Sequence, residues 1–285
     1  MENVVRTLVY EAQVLLTVAD TTEMVKEGMR LHGLSPVSGI TFGRALSAMT
    51  FMSACLKGEK DEISLSIRSD GLGEEIAVSG NYKLNLRGFI GNTKVEGVGT
   101  AEEIAACFGH QGTLAVIRDN GYGRPFVGSC GLPTSGNIDE AFEEYYTVSE
   151  QLPTRIGTIV ELSENGECTF AGVVAVQPLP FAAKETLDKV AGLDLYAMLE
   201  KAKTQGIVAT AKDGFDNDDC VFEMLTAQYK CNCSRAYLSE VLVSLGEAQM
   251  RQIIEEDGAV RVHCHYCNSD YEFFSEDADQ LFSKK

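Results

Sequence analysis

Residues 230–267 read KCNCSRAYLSEVLVSLGEAQMRQIIEEDGAVRVHCHYC. Two thiols one residue apart, Cys231 and Cys233, precede by thirty intervening residues a second pair, Cys264 and Cys267. Two short thiol clusters either side of a small helical segment match a tetrahedral, four-thiolate structural zinc site. A gap of one residue is tighter than the usual two to four, but ligands at i and i+2 on an extended turn remain sterically possible. Between the clusters, Leu238, Val241, Leu242 and Leu245 recur at helical spacing, followed by Met250, Ile253 and Ile254, with Gly258 as a stop. Beyond them, 270–274 reads as a strand and 276–282 as a terminal helix. So few apolar residues do not hold such a unit together without its metal. The plainer alternative is four cysteines acting as small buried hydrophobes, which the paired spacings argue against. A thioredoxin-type CxxC needs the start of a helix in a βαβ context, and none reads here. His263 and His265 flank Cys264 and can in principle replace a thiolate. With four cysteines available, they read as solvated or supporting groups.

Outward from this stretch the chain is acidic. Its 285 residues carry 24 Lys+Arg against 42 Asp+Glu, a net charge of −18. That balance argues against a general nucleic-acid binder, because phosphate contacts need cations to release counterions. It argues equally against docking on an anionic membrane surface. Hydrophobic residues make up 45%, enough for a buried core. The N-terminal MENVVRTLVYEAQ shows no signal-peptide pattern, and no apolar run approaches the roughly 18 residues needed to span a bilayer. A cytoplasmic protein is expected, in a compartment where clustered thiols mean metal or redox chemistry rather than structural disulfides. The other five cysteines, at 55, 107, 130, 168 and 220, are scattered. Cys220 reads either as a buried residue or as a partner in thiol exchange.

Residues 1–178 read as one mixed domain. Residues 4–18 suggest one or two strands, and Ile63, Leu65 and Ile67 alternate with polar neighbours over 62–68. Further strands are expected at 76–80, 83–90, 113–118, 155–162 and 168–176, punctuated by Asp70-Gly71, Asn120-Gly121 and Asn165-Gly166 turns. Asp20 and Thr21 cap a helix to about His32. Pro36 opens a second, apolar nearly all round, to about Lys57 and therefore packed on several sides or at a subunit contact. Thr100 with Glu103 forms a capping box for 101–108, and Asn137 with Glu140 starts a helix to about Val148. The fold class is α+β: an N-terminal α/β core domain over 1–178, a helical linker over 179–230, and a small C-terminal zinc-binding domain over 231–285. The linker carries Leu187, Val190, Leu195, Met198 and Leu199 in a weakly amphipathic pattern broken by Gly192, then the acidic run 213–219. Such a segment is only marginally stable alone.

No Ser/His/Asp grouping, P-loop or HExxH motif stands out, and the glycines of 70–73 and 120–123 are turn glycines. The chain does not read as an enzyme. The chemistry lies in the thiols. A structural zinc site contributes about 10–16 kcal/mol, as much as a whole small domain, so losing the metal should unfold 231–285. Thiolates are what oxidants attack, and each cluster holds neighbours able to pair with each other. Oxidation would deprive zinc of its ligands and the linker of its support.

In these residues the chain resembles, along essentially its whole length, the thirty-three-kilodalton redox-regulated heat-shock chaperone (chaperonin) family. The resemblance rests on Lys230-Cys-Asn-Cys-Ser234, Val262-His-Cys-His-Tyr-Cys267, Tyr271-Glu-Phe273 and Leu281-Phe282. In the core it rests on Leu34-Ser-Pro36, Gly43-Arg44-Ala-Leu46, Ile63-Ser-Leu-Ser-Ile67 with Asp70-Gly-Leu-Gly73, and Ser149-Glu-Gln-Leu-Pro-Thr154. It implies an ATP-independent holdase, inactive while Cys231, Cys233, Cys264 and Cys267 bind one zinc ion. It further implies that oxidation forms Cys231–Cys233 and Cys264–Cys267 disulfides, releases zinc and unfolds the zinc domain with the linker. The core would then dimerise, hold unfolding client proteins, and after reduction pass them to ATP-driven chaperones. The Cys264–Cys267 pair would sense the oxidant and Cys231–Cys233 the stability of the linker.

Two rival readings differ in class. One is a zinc ribbon that binds nucleic acid or another protein, and five basic against ten acidic residues over 231–285 disfavour its binding to phosphates. A thiol oxidoreductase would turn over a disulfide substrate catalytically.

Overall fold

The structure, a computed structural model, describes residues 2–213, 215 and 221–283. Cys220, the candidate for thiol exchange, lies outside them, as does most of the acidic run. The chain divides into two compact units, one ending at Lys230 and the other beginning at Cys231.

The first unit opens with β1 (Val4–Val9) and β2 (Val14–Asp20), then α1 (Thr22–His32) and α2 (Pro36–Ala54). A meander of β3 (Glu62–Ser69), β4 (Glu75–Asn81) and β5 (Asn85–Ile90) leads to α3 (Ala101–Phe108), and β6 (Gly112–Asp119) pairs with β7 (Phe126–Gly131). Next come α4 (Ile138–Tyr145), a π-turn at Tyr146–Glu150, and the long hairpin β8 (Arg155–Leu162) and β9 (Cys168–Pro178). Three short helices follow, α5 (Lys184–Ala191), α6 (Leu195–Gln205) and α7 (Ile207–Lys212), and then the short strands β10 (Glu223–Leu225) and β11 (Gln228–Tyr229).

Two sheets result, in strand orders β10-β1-β2-β9-β8 and β11-β5-β4-β3-β6-β7. The alternation over 62–68 is realised as expected: Ile63, Leu65 and Ile67 are buried and Ser64 and Ser66 half-exposed. From Val37 to Ala54 every residue of α2 except Arg44 is buried, which its all-round apolar character requires. Its small residues permit the contact. A Cβ at Gly43 would meet Val25 Cγ1 at 2.8 Å and Val160 Cγ2 at 2.9 Å. The Thr100–Glu103 capping box is formed, and Asn137 Oδ1 accepts from the Asp139 amide.

One apolar cluster lies around α2, with Phe42, Leu46, Met49, Phe51, Val78, Phe142 and Val173. A second lies against Val5, Val14, Leu16, Val18, Val174 and Val176 and is completed by Val190, Leu195, Leu199, Ala211 and Phe215 from the linker. With clusters on both faces, β9 is buried at ten of its eleven positions, which accounts for its unbroken apolar run. Among its described residues, the segment read as a helical linker thus carries three helices and two strands. β10 pairs antiparallel with β1, and β11 pairs parallel with β5.

The second unit holds α8 (Arg235–Leu245), α9 (Glu247–Asp257), the hairpin β12 (Val260–Cys264) and β13 (Ser269–Phe273), and α10 (Ser275–Phe282). Gly246, at φ +99°, divides the single helical pattern of the sequence into two helices. The core of this unit is small: Leu242, Met250, Val260, Phe273 and Ala278 are buried, with Leu238, Ile253, Ile254 and Tyr271 partly so.

Candidate metal centre

One thiol pair leads into a helix and the other spans a hairpin turn. Cys231 and Cys233 lie on the extended stretch that leads into α8, whose N-cap Ser234 Oγ accepts from the Tyr237 amide at 3.1 Å. Cys264 ends β12 and Cys267 lies in the turn to β13. The Asn268 amide donates to the Cys264 carbonyl at 2.8 Å there, with Asn268 at φ +54°. Arg235 fastens the unit beside the site: its guanidinium lies 4.4 Å from the Phe273 ring centroid and donates to the Glu272 carbonyl and to Asp277 Oδ1, both at 2.7 Å.

The four sulfurs converge. All lie within 4.8 Å of one another, with Cys231 to Cys264 at 3.8 Å and Cys233 to Cys267 at 3.0 Å. Tetrahedral zinc at about 2.3 Å from each sulfur requires sulfur–sulfur edges of about 3.8 Å, so the cluster has the size and the donor set of a four-thiolate zinc site. Burial raises the Cys231 thiol, helped by Cys264 and Cys267, and burial pushes Cys267 up to about 11 against the opposing Ser269 hydroxyl. Burial also acts on Cys233, but hydrogen bonds from Tyr271 and the other thiols outweigh it and bring it down to about 7. The Tyr271 hydroxyl stands 3.4 Å from Cys233 Sγ and the Ser269 hydroxyl 3.4 Å from Cys267 Sγ. One thiol is thus ready to ionise near neutrality, and a bound dication would supply the charge that lets the others do so.

His263 and His265 do not join the cluster. The His263 ring nitrogen Nδ1 lies 2.7 Å from Asp270 Oδ1, across the β12–β13 pair, and the two imidazoles meet edge to face at 4.9 Å. Tyr271 and Ser269 were not singled out for a role at the sulfurs. The alternation of β13, which sends residues 269, 271 and 273 to one side, is the signal that finds them. The cysteines at 55, 107, 130 and 168 stay apart, and burial raises all four, Cys130 and Cys168 to about 11. They are poor nucleophiles.

A second polar constellation lies in the first unit. Asp139, buried, accepts from Arg44 Nη2 at 2.9 Å, from the Thr158 amide at 3.1 Å and hydroxyl at 2.5 Å, and from the Tyr196 hydroxyl at 2.8 Å. Three of these donors come from α2 and β8, and the fourth from α6 of the linker. Arg155 Nη1 donates to the carbonyls of Val190, Ala191 and Leu193 at the end of α5, where helix carbonyls lack intrahelical partners.

Among known proteins, the family model described as Hsp33 protein matches residues 2–274. A relative from Clostridium novyi named "33 kDa chaperonin" is 30% identical over 289 residues, covering 98% of this chain and 97% of the relative. Relatives of the same name from Clostridium perfringens and Clostridium botulinum are each 29% identical, covering 100% and 98% of this chain and 92% and 97% of their own. The crystal structure of a 33 kDa chaperonin (heat shock protein 33 homolog) from Thermotoga maritima superposes with a TM-score of 0.82. It covers 99% of this chain and 98% of its own at 24% identity, a likeness of fold.

Proposed function

The chain belongs to the Hsp33 family of chaperones, which are not enzymes, and on that premise we propose that it is an ATP-independent holdase switched on by oxidation. In its resting form Cys231, Cys233, Cys264 and Cys267 hold one zinc ion as thiolates. The observation that carries this reading is the convergence of four sulfurs within 4.8 Å on a unit whose apolar cluster has five buried residues, since a core that small depends on its metal.

Oxidation removes two electrons from each thiolate pair, a peroxide takes them up with two protons from solvent and leaves as two waters, and disulfides form at Cys264–Cys267 and Cys231–Cys233. Zinc departs for want of thiolates, and residues 231–285 unfold. The linker, 179–230, then opens from the core, 1–178, and uncovers the apolar face that Val190, Leu195, Leu199 and Phe215 now cover. Uncovered surface of this kind captures unfolding client proteins. A homodimer is the active form, clients pass to ATP-driven chaperones after reduction, and the cytoplasm is the site of action. Among the described residues no helix is long and apolar enough to cross a membrane.

The test is light scattering of a chemically unfolded client, with reduced zinc-loaded and oxidised protein side by side and zinc release followed by a chromogenic chelator. Suppression of aggregation by the oxidised form alone, together with release of one zinc per chain, is expected. Equal activity of both forms overturns the redox switch, and inactivity of both overturns the holdase reading.

A further inference from the structure

The outer edge of β1 is engaged over five residues by the last segment of the linker, which takes part mostly through its own main-chain atoms. The register sets Val4 opposite Leu225, Val5 opposite Met224 and Arg6 opposite Glu223. The Asn3 amide donates to the Leu225 carbonyl at 3.0 Å. The Asn3 side chain copies a further step of the ladder: its Oδ1 accepts from the Ala227 amide at 2.8 Å and its Nδ2 donates to the Ala227 carbonyl at 3.1 Å. Thr7 Oγ1 donates to the Val221 carbonyl at 3.1 Å. Arg6 and Glu223 form an ion pair across this edge, at 2.9 Å. The side chains alternate across the sheet. Val5 packs with Met224 and Phe222 in the linker-side cluster, and Val4 with Leu225 in the cluster around α2.

β10 is three residues long and outermost in its sheet. If it leaves with the linker, as the function proposed above requires, β1 becomes a bare edge with unpaired amides and carbonyls, next to the uncovered apolar face. Such an edge is a template for another extended chain. We propose that the outer edge of β1 is a client-docking site, where an extended segment of an unfolding polypeptide adds as an antiparallel strand in the place that β10 holds at rest. The segment that fits has apolar residues at alternate positions, to stand where Phe222 and Met224 stand. Main-chain pairing explains how one site accepts unrelated clients, because unfolding chains share no sequence but share a backbone. β10 is then an internal surrogate that keeps the edge closed until the switch is thrown.

The test is amide hydrogen exchange by mass spectrometry on the full-length protein, over peptides covering residues 3–9, with holding of an unfolded client measured on the same samples. Oxidation should open the amides that face β10, the Asn3 amide among them, while those facing β2 stay protected. A held client should slow the opened amides at least tenfold. A client held with these amides still open overturns the site, as does an edge that never opens on oxidation. Protection that returns without client, in proportion to protein concentration, assigns the edge to a second copy and also overturns it. Oxidised protein that holds no client overturns the parent reading, and light scattering tells that failure from the others.

Discussion

At the four sulfurs, two close separations run across the clusters, Cys231 to Cys264 at 3.8 Å and Cys233 to Cys267 at 3.0 Å, whereas the proposed disulfides run within them. In a tetrahedral site every pair is adjacent, so proximity does not choose the pairing. Chain topology distinguishes the outcomes. A bridge across the clusters closes a loop of more than thirty residues and restrains the unfolded unit by about 3–4 kcal/mol, which opposes release. A bridge within a cluster closes a loop of one or two residues and leaves the unit free to unfold. Mapping of peroxide-treated protein by proteolysis and mass spectrometry should therefore recover Cys231–Cys233 and Cys264–Cys267, and dominant crossed pairs would contradict the switch. The Tyr271 hydroxyl beside Cys233 makes a finer prediction. Tyr271→Phe removes that contact and keeps all four ligands, so zinc affinity should fall about tenfold in chelator competition. Cys233→Ser, which removes a ligand, should lose far more.

Among the elements, α6 is tied to the core by the Lys203–Glu161 ion pair at 2.6 Å and by a more buried contact at Tyr196. Half of the Tyr196 ring is exposed, yet its hydroxyl reaches the buried Asp139 carboxylate, and burial and then that carboxylate push it up to about 12. Tyr196 therefore remains a donor at any physiological pH. Tyr196→Phe leaves Asp139 its other donors and removes about 1 kcal/mol from linker docking. Proteolysis within 179–230 of the reduced protein should quicken about fivefold with zinc content unchanged, and an unchanged rate would show that the tie carries no weight. Nothing local in the sequence reveals this contact, because residues 139 and 196 meet only through the tertiary fold. The same reason hides β10 and β11, of three and two residues, whose pairing is set by a partner strand; β7 and β12 do alternate, so their pattern is present in the sequence. By contrast α2, β3 and the Thr100 cap were legible, since all-round apolarity, period two and a capping box are local signals. The grouping of Cys231, Cys233, Cys264 and Cys267 is legible too, because paired thiols at that spacing point to one cluster even before their distances are known.

Across the whole molecule, two units of unequal strength share one chain. The first is built on two large apolar clusters, one of which takes in the linker helices, whereas the second has one cluster of five buried residues. A net charge of −18 suits a protein that stays soluble while it uncovers apolar surface. The asymmetry predicts a staged response. Chelation under reducing conditions removes the about 10–16 kcal/mol of a structural zinc site from a unit with little else, so exchange protection over 235–282 should collapse. The linker helices keep their own packing against Val5, Leu16, Val18 and Val174, so at low temperature protection over 184–212 should persist in the zinc-free protein. On warming, the linker should open before the central strands of either sheet, since its short helices are marginal without that packing. Hydrogen exchange at rising temperature, in zinc-loaded and chelated reduced protein, separates the stages. Simultaneous loss of protection in 184–212 and 235–282 at low temperature would make metal loss sufficient to open the linker. Retained protection over 235–282 after complete zinc removal would deny the metal its part in holding that unit together.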